Sequence, residues 1–214
     1  MQRQLSAFVD EPSRQTFLAV RDAVLAAAPL PLAATDLAEL ERLLDSGDPR
    51  RVLDRLEAMP PSKVLSPRVH VLAAEAAEAL GDVGSGEVER FLFVLCLQGL
   101  LATGDGSPAE PYLVCHATDE YDLLEALELE PAGQALVQET GRVCDVLTCT
   151  NGREVWFDVT AIMRPAVARR RQKAAPRKRV AARRPTAARS ASKPAKSRGN
   201  HARPAVRKRS TASR

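Results

Sequence analysis

The chain has 214 residues, with 31 Lys or Arg and 27 Asp or Glu, and its formal charge of +4 conceals two parts of opposite sign. All 27 acidic residues precede Arg164, whereas 19 of the 31 basic residues follow Met163, which leaves −15 on residues 1–163 and +19 on residues 164–214. An acidic folded body with a basic arm is expected. No apolar run reaches the length of a bilayer span, and no apolar leader follows Met1. Cys96, Cys115, Cys144 and Cys149 form no Cys-x-x-Cys pair. A membrane protein, a secreted disulfide scaffold and a paired-ligand zinc site are thereby disfavoured, and buried, reduced cysteines in a cytoplasmic protein are expected, with no metal and no cofactor.

Residues 1–104 read as a helical region. Phe17, Val20, Val24 and Leu25 recur at helical spacing until Pro29-Leu30-Pro31-Leu32 breaks the pattern. A second helix, capped by Thr35, carries Leu37, Leu40, Leu43 and Leu44 and stops at Ser46-Gly47. The next two starts share a device: Asp48-Pro49 and Ser66-Pro67 place a capping side chain before a proline. Proline pushes its predecessor toward extended backbone and itself suits the first helical position. Val52, Leu53, Leu56 and Met59 define the third helix, and Val69, Leu72, Ala73, Ala76 and Leu80 the fourth, which Gly81 stops. A fifth, from about Glu87 to Ala102, is apolar nearly all round through Phe91-Leu92-Phe93-Val94-Leu95 and is expected to be the buried central helix.

Ser46-Gly47-Asp48 and Leu80-Gly81-Asp82 lie 34 residues apart, which is the tetratricopeptide period. Leu37 and Val71, Leu40 and Ala74, and Leu43 and Ala77 fill matching slots. This part resembles tetratricopeptide-like helical hairpins; two units are too few for a free-standing solenoid.

After Gly104-Asp105-Gly106 the period changes, and residues 105–163 read as a small α+β module packed with the helices as one unit. Tyr112-Leu113-Val114-Cys115 is a short strand. Thr118 can cap a short helix holding Tyr121, Leu123, Leu124 and Leu127. Strands are expected over Gln134–Glu139, Arg142–Cys149 and Arg153–Thr160, joined by two-residue turns at Thr140-Gly141 and Asn151-Gly152 into an antiparallel meander. The fold class is α+β.

With a two-residue Asn151-Gly152 turn, Leu147 faces Trp156 and Asp145 faces Asp158. Cys144, Val146, Val155, Phe157 and Val159 then form the core face, and Asp145, Trp156 and Asp158 a patch on the other. Opposed like charges cost stability. A cation, such as an arginine from the tail or a partner, would relieve that cost beside the face of Trp156. Asp119, Glu120 and Asp122 read as a helix N-terminal cluster favoured by the dipole rather than a metal site, and His116 as an edge or turn residue rather than a ligand. No phosphate loop, dinucleotide fingerprint or nucleophile elbow occurs, so a non-enzymatic body is expected.

Residues 164–214 are dominated by Pro, Ala, Ser, Arg and Lys and hold no aromatic residue, so they are expected to stay disordered. Arg169, Arg170, Arg171 and Lys173, then Arg177, Lys178 and Arg179, then Arg183 and Arg184, and finally Arg207, Lys208 and Arg209 form basic clusters among recurrent prolines. Such a segment binds DNA without reading sequence, by neutralising phosphates.

Two resemblances follow. Pro111-Tyr112-Leu113-Val114, Asp119-Glu120-Tyr121-Asp122-Leu123-Leu124, Asp145-Val146-Leu147-Thr148-Cys149 and Glu154-Val155-Trp156-Phe157-Asp158-Val159-Thr160 resemble an uncharacterised bacterial family that pairs tetratricopeptide-like helices with this α+β module. The resemblance spans roughly residues 8–162 and implies a fold without implying an activity. The tail is similar in composition to those of linker histones and bacterial histone-like proteins. The expectation for the whole chain is a nucleoid-associated protein whose tail holds DNA while the body engages another protein. The alternative is a protein-interaction adaptor whose tail serves solubility or RNA association.

Overall fold

The computed structural model describes residues 1–26, 34–139 and 141–163; the basic clusters of the tail lie outside them. The fold is α+β. Helices α1 (Gln2–Asp10), α2 (Arg14–Ala26), α3 (Ala34–Asp45), α4 (Pro49–Glu57), α5 (Pro67–Ala79) and α6 (Val83–Leu101) precede β1 (Tyr112–Leu113). Helix α7 (Asp119–Ala126) and strands β2 (Pro131–Glu139), β3 (Arg142–Cys149) and β4 (Glu154–Asp158) complete the order, with a single 3-10 turn at Pro61–Leu65.

Helix α1 had no counterpart in the sequence pattern. Phe8 packs against Phe17 of α2, edge to face with ring centroids 5.4 Å apart, and Leu5 and Val9 pack against the same core. On α2, Phe17, Val20, Arg21 and Val24 form the buried face, and Ser13 and Thr16 cap its start by exchanging side-chain and backbone hydrogen bonds.

The 34-residue repeat is a repeated piece of backbone chemistry. Gly47 at φ +77° and Gly81 at φ +79° each end a helix in the left-handed region, where a side chain is disfavoured. The following residue then bonds back in the same way: Asp48 N–H donates to the Leu43 carbonyl and Asp82 N–H to that of Ala77. Each aspartate caps the next helix, Asp48 accepting from Arg51 N–H and Asp82 from Ser85 N–H. The result is two helical hairpins, α3–α4 and α5–α6. Ser66 follows only half of the rule that Asp48 obeys. Its backbone is extended at φ −89°, ψ 114° with Pro67 behind it, yet its hydroxyl makes no cap bond.

One apolar core lies among α3, α4 and α5, around Leu37, Leu40, Val52, Leu56, Val69 and Leu72. A larger one joins α1, α2 and α6 to α7 and the sheet, around Phe17, Leu100, Leu124, Leu147, Val155 and Phe157. Helix α6 enters that core only with its C-terminal half. Leu95, Cys96, Leu97 and Leu100 are buried, but Val88, Phe91 and Val94 are 57, 53 and 47% exposed. The expectation of a central buried helix is corrected: apolar residues all round α6 give one stripe to the core and another to solvent.

The sheet order is β1-β4-β3-β2: β2, β3 and β4 form the expected antiparallel meander, and β1 joins it parallel to β4, which makes the four-stranded sheet mixed. The loop ahead of β1 determines this. Gly106 lies close to Tyr112 and Val155 at φ +75°, where a Cβ would meet the Tyr112 ring at 2.7 Å. Its carbonyl accepts the Trp156 N–H. The chain is therefore pinned along the outer side of β4 before β1 begins. The β2–β3 turn is the expected one: Glu139 pairs with Arg142, leaving two residues between.

Candidate functional site

The β3–β4 turn differs from expectation by one residue. Gly152 N–H donates to the Cys149 carbonyl, and Cys149 N–H to that of Arg153, which closes a three-residue loop of Thr150, Asn151 and Gly152. Gly152, at φ +83°, takes the left-handed position that follows a type I turn. Asn151 uses its side chain to accept the Arg153 N–H, so Asn-Gly closes the longer loop instead of a two-residue one. A one-residue slip reverses which face each side chain takes. Asp145 therefore pairs with Phe157, Leu147 with Val155, Val146 with Trp156 and Cys144 with Asp158.

This corrects the expected patch. Asp145 lies on the core face with Leu147, Val155 and Phe157, while Trp156 and Asp158 lie on the opposite face with Cys144 and Val146. No carboxylate pair forms across the hairpin. Asp158 instead accepts the Thr160 N–H at 2.8 Å and borders an open groove of about 590 Å³ that Arg21, Asp22 and Arg142 also line.

What the register removes from the hairpin it places under α7. Thr118 does not cap that helix: its backbone is helical and its hydroxyl makes no cap bond. Asp119, the first residue of the helix, turns back on the preceding loop, one carboxylate oxygen accepting the N–H groups of Cys115 and His116 at 2.9 Å each. Asp119, Glu120 and Asp122 lie in the first turn of α7, as expected, and all three are buried. Burial pushes Asp119 up to about 7, against the pull of the two backbone N–H groups and Arg21. Asp122 is pushed up to about 6 by burial, although Arg68 lowers it. Its carboxylate meets the Arg68 guanidinium at 2.8 Å and accepts the Arg68 backbone N–H, and Arg68 also reaches Glu125.

Glu120 is fully buried with Asp145 beside it, and burial and then that carboxylate raise it to about 8. Both of its oxygens lack a donor among the described residues. Two carboxyl groups side by side with no donor between them are held together by a proton shared by the pair. The pair extends outward, since Gln134 donates to Asp145 at 2.6 Å and Tyr121 O–H donates to Gln134 at 3.3 Å. The chain of groups Glu120, Asp145, Gln134 and Tyr121 fastens α7 to β3 and β2.

His116 lies in the bend between β1 and α7, as expected, and is fully buried there, with Nε2 3.1 Å from the Ser62 carbonyl; burial lowers it to about 4. His70 is buried between Glu89 and the Val64 carbonyl. Among the described residues no group of three or more His, Cys, Asp or Glu side chains is arranged to hold a metal ion. The four cysteines are free and buried, and burial raises the thiols of Cys96, Cys115 and Cys144. A cleft beside Arg68 and Asp122 measures about 140 Å³, below the roughly 300 Å³ where small-molecule sites begin. The carboxyl cluster is thus a fastening between helix and sheet rather than a ligand pocket.

The surface that remains unexplained is apolar. Val83, Val88, Phe91 and Val94 are exposed along α6, and so is Leu80 at the end of α5. Their spacing puts the four on α6 within one side of the helix, where Glu87 and Gln98 are exposed among them. Exposed patches of this kind mark contact surfaces.

Fold and surfaces together define an α+β protein with two helical hairpins, a buried carboxyl fastening and an exposed apolar stripe. No known protein family, curated protein or solved structure matches the chain. No helix among the described residues is long and apolar enough to cross a membrane.

Proposed function

We propose that the chain is a non-enzymatic, nucleoid-associated protein. Its C-terminal tail binds DNA without sequence preference, and its folded body engages a second protein. The observation that carries the reading is the charge segregation: 19 Lys and Arg with no Asp or Glu after Met163, against 27 acidic residues before it. A polyanion is the natural ligand of such a segment. The clusters Arg169–Arg171 with Lys173, Arg177–Arg179, Arg183 with Arg184, and Arg207–Arg209 supply the phosphate contacts. The tail has no Phe, Tyr or Trp to stack on unpaired bases, which favours duplex over single strand. The apolar stripe on α6 supports the second half of the reading.

The test compares the full chain with a chain ending at Met163 in binding to DNA duplexes of unrelated sequence. The full chain binds all of them with similar affinity and the shortened one binds none. Retained binding by the shortened chain overturns the reading. Preference of the full chain for RNA over DNA at equal salt favours the adaptor whose tail associates with RNA.

A further inference from the structure

Strand β2 is the longest of the sheet and forms its free edge. All of its residues but Val137 are exposed, and Leu136 is 59% exposed. Exposed edges are usually blunted by Lys, Pro or a bulge. Here the bulge lies between Pro131 and Gly133, and Gly133 to Gln138 contains neither charge nor proline.

The free hydrogen-bonding groups can be assigned. Cys149 N–H donates to Arg153, and Val159 N–H to Val143, so the odd-numbered residues of β3 turn their backbone toward β4. Its even-numbered residues then bond β2, where Ala135, Val137 and Glu139 are the partners of Val146, Cys144 and Arg142. By alternation Gln134, Leu136 and Gln138 turn their N–H and C=O groups to the open side. Gln134 is already fixed by Tyr121 and Asp145, which lowers the entropy cost of pairing.

The sequence along this edge is nearly palindromic: Gln134-Ala135-Leu136-Val137-Gln138. We propose that β2 pairs antiparallel with β2 of a second copy of the chain about Leu136, continuing the sheet across a two-fold axis. Leu136 then stands opposite itself, Ala135 opposite Val137 and Gln134 opposite Gln138, so each outward backbone pair is completed and each side chain meets a like one. A copy of the chain fits this edge better than an unrelated strand because only the copy supplies the palindrome. An isologous contact of this kind closes as a dimer and does not propagate. One strand pair buries less than the roughly 800 Å² per partner of a standard interface, so the dimer dissociates on dilution.

The test uses the full chain. Sedimentation velocity shows a monomer–dimer equilibrium that shifts with concentration, and Leu136→Lys, which sets two charges face to face, weakens it by roughly tenfold or more without lowering the melting temperature. Single cysteines then read the register. Leu136→Cys forms a disulfide dimer readily, because directly opposed residues lie about 5.5 Å apart. Gln134→Cys and Gln138→Cys do not, since each faces its own copy roughly 13 Å along the strand. A monomer at every concentration, or equal cross-linking at the three positions, overturns the proposal.

Discussion

A glutamate in the first turn of a helix ordinarily faces water, and Glu120 does not, because α5, α7 and β3 close over it and its neighbours. Its carboxyl is raised to about 8 from an ordinary 4.5. Asp119 is raised to about 7 from 3.8. A folded-state value above the unfolded one means that the folded protein holds the proton more tightly. The stability these groups contribute is complete below pH about 4 and is lost as pH rises toward 8. Thermal melting across that range should show it, with the midpoint falling from pH 5 to pH 8. Glu120→Gln, whose amide donates to Asp145 at any pH, flattens the fall and raises the midpoint at pH 8 more than at pH 5. An unchanged slope would contradict the shared proton. Arg68 tests the other carboxylate. Arg68→Ala leaves Asp122 buried without its cation and should cost about 2 kcal/mol in denaturant unfolding, less than the 3–5 of a wholly buried pair because Arg68 is partly exposed. None of this was legible in Asp119-Glu120-Tyr121-Asp122 alone, since the groups that bury it come from residues as distant in sequence as Arg68 and Asp145.

At the scale of elements, what was legible is whatever a few neighbouring residues decide. Gly47 and Gly81 stop helices and Asp48 starts one because left-handed backbone and capping oxygens are local properties; Asp82 caps α6 in the same way, at Val83 and not at the expected start near Glu87. The α+β class and the order of helices and strands follow from periodicity. The errors came where distant packing decides. Helix α6 looks alike on all sides, and only its neighbours determine which stripe is covered. Asn151-Gly152 marks the turn but not its length: the loop has three residues instead of two, which turns the half-buried Asp145 to the core face of the hairpin. Gly152→Ala tests the three-residue turn: at φ +83° a Cβ costs about 1 kcal/mol, measured as a lower midpoint in urea with the slope unchanged. The stripe on α6 predicts the opposite behaviour. Phe91→Ser changes stability by no more than about 0.5 kcal/mol, as exposed positions do, whereas a core phenylalanine would cost several times that.

For the whole molecule, the segregation of charge is the feature on which the proposed function rests, and it is legible in the sequence alone. The described fold adds a body with two unsatisfied surfaces, the α6 stripe and the β2 edge. Their roles differ, since the first is apolar and suits another protein while the second is self-complementary and suits a copy. A dimer would carry two tails, and its binding to long DNA should rise with protein concentration more steeply than that of Leu136→Lys, measured by mobility shift at constant salt.

The central claim is that the tail holds DNA through its phosphates, and the salt dependence of binding by the full chain tests it most directly. Each phosphate neutralised contributes about −0.9 to the slope of log affinity against log salt, so engagement of half the tail's charges gives a slope near −8 or −9. The account predicts that slope for duplexes of any sequence, and its loss with the removal of residues 164–214. A slope shallower than about −3, or the same slope from a chain that ends at Met163, would contradict it.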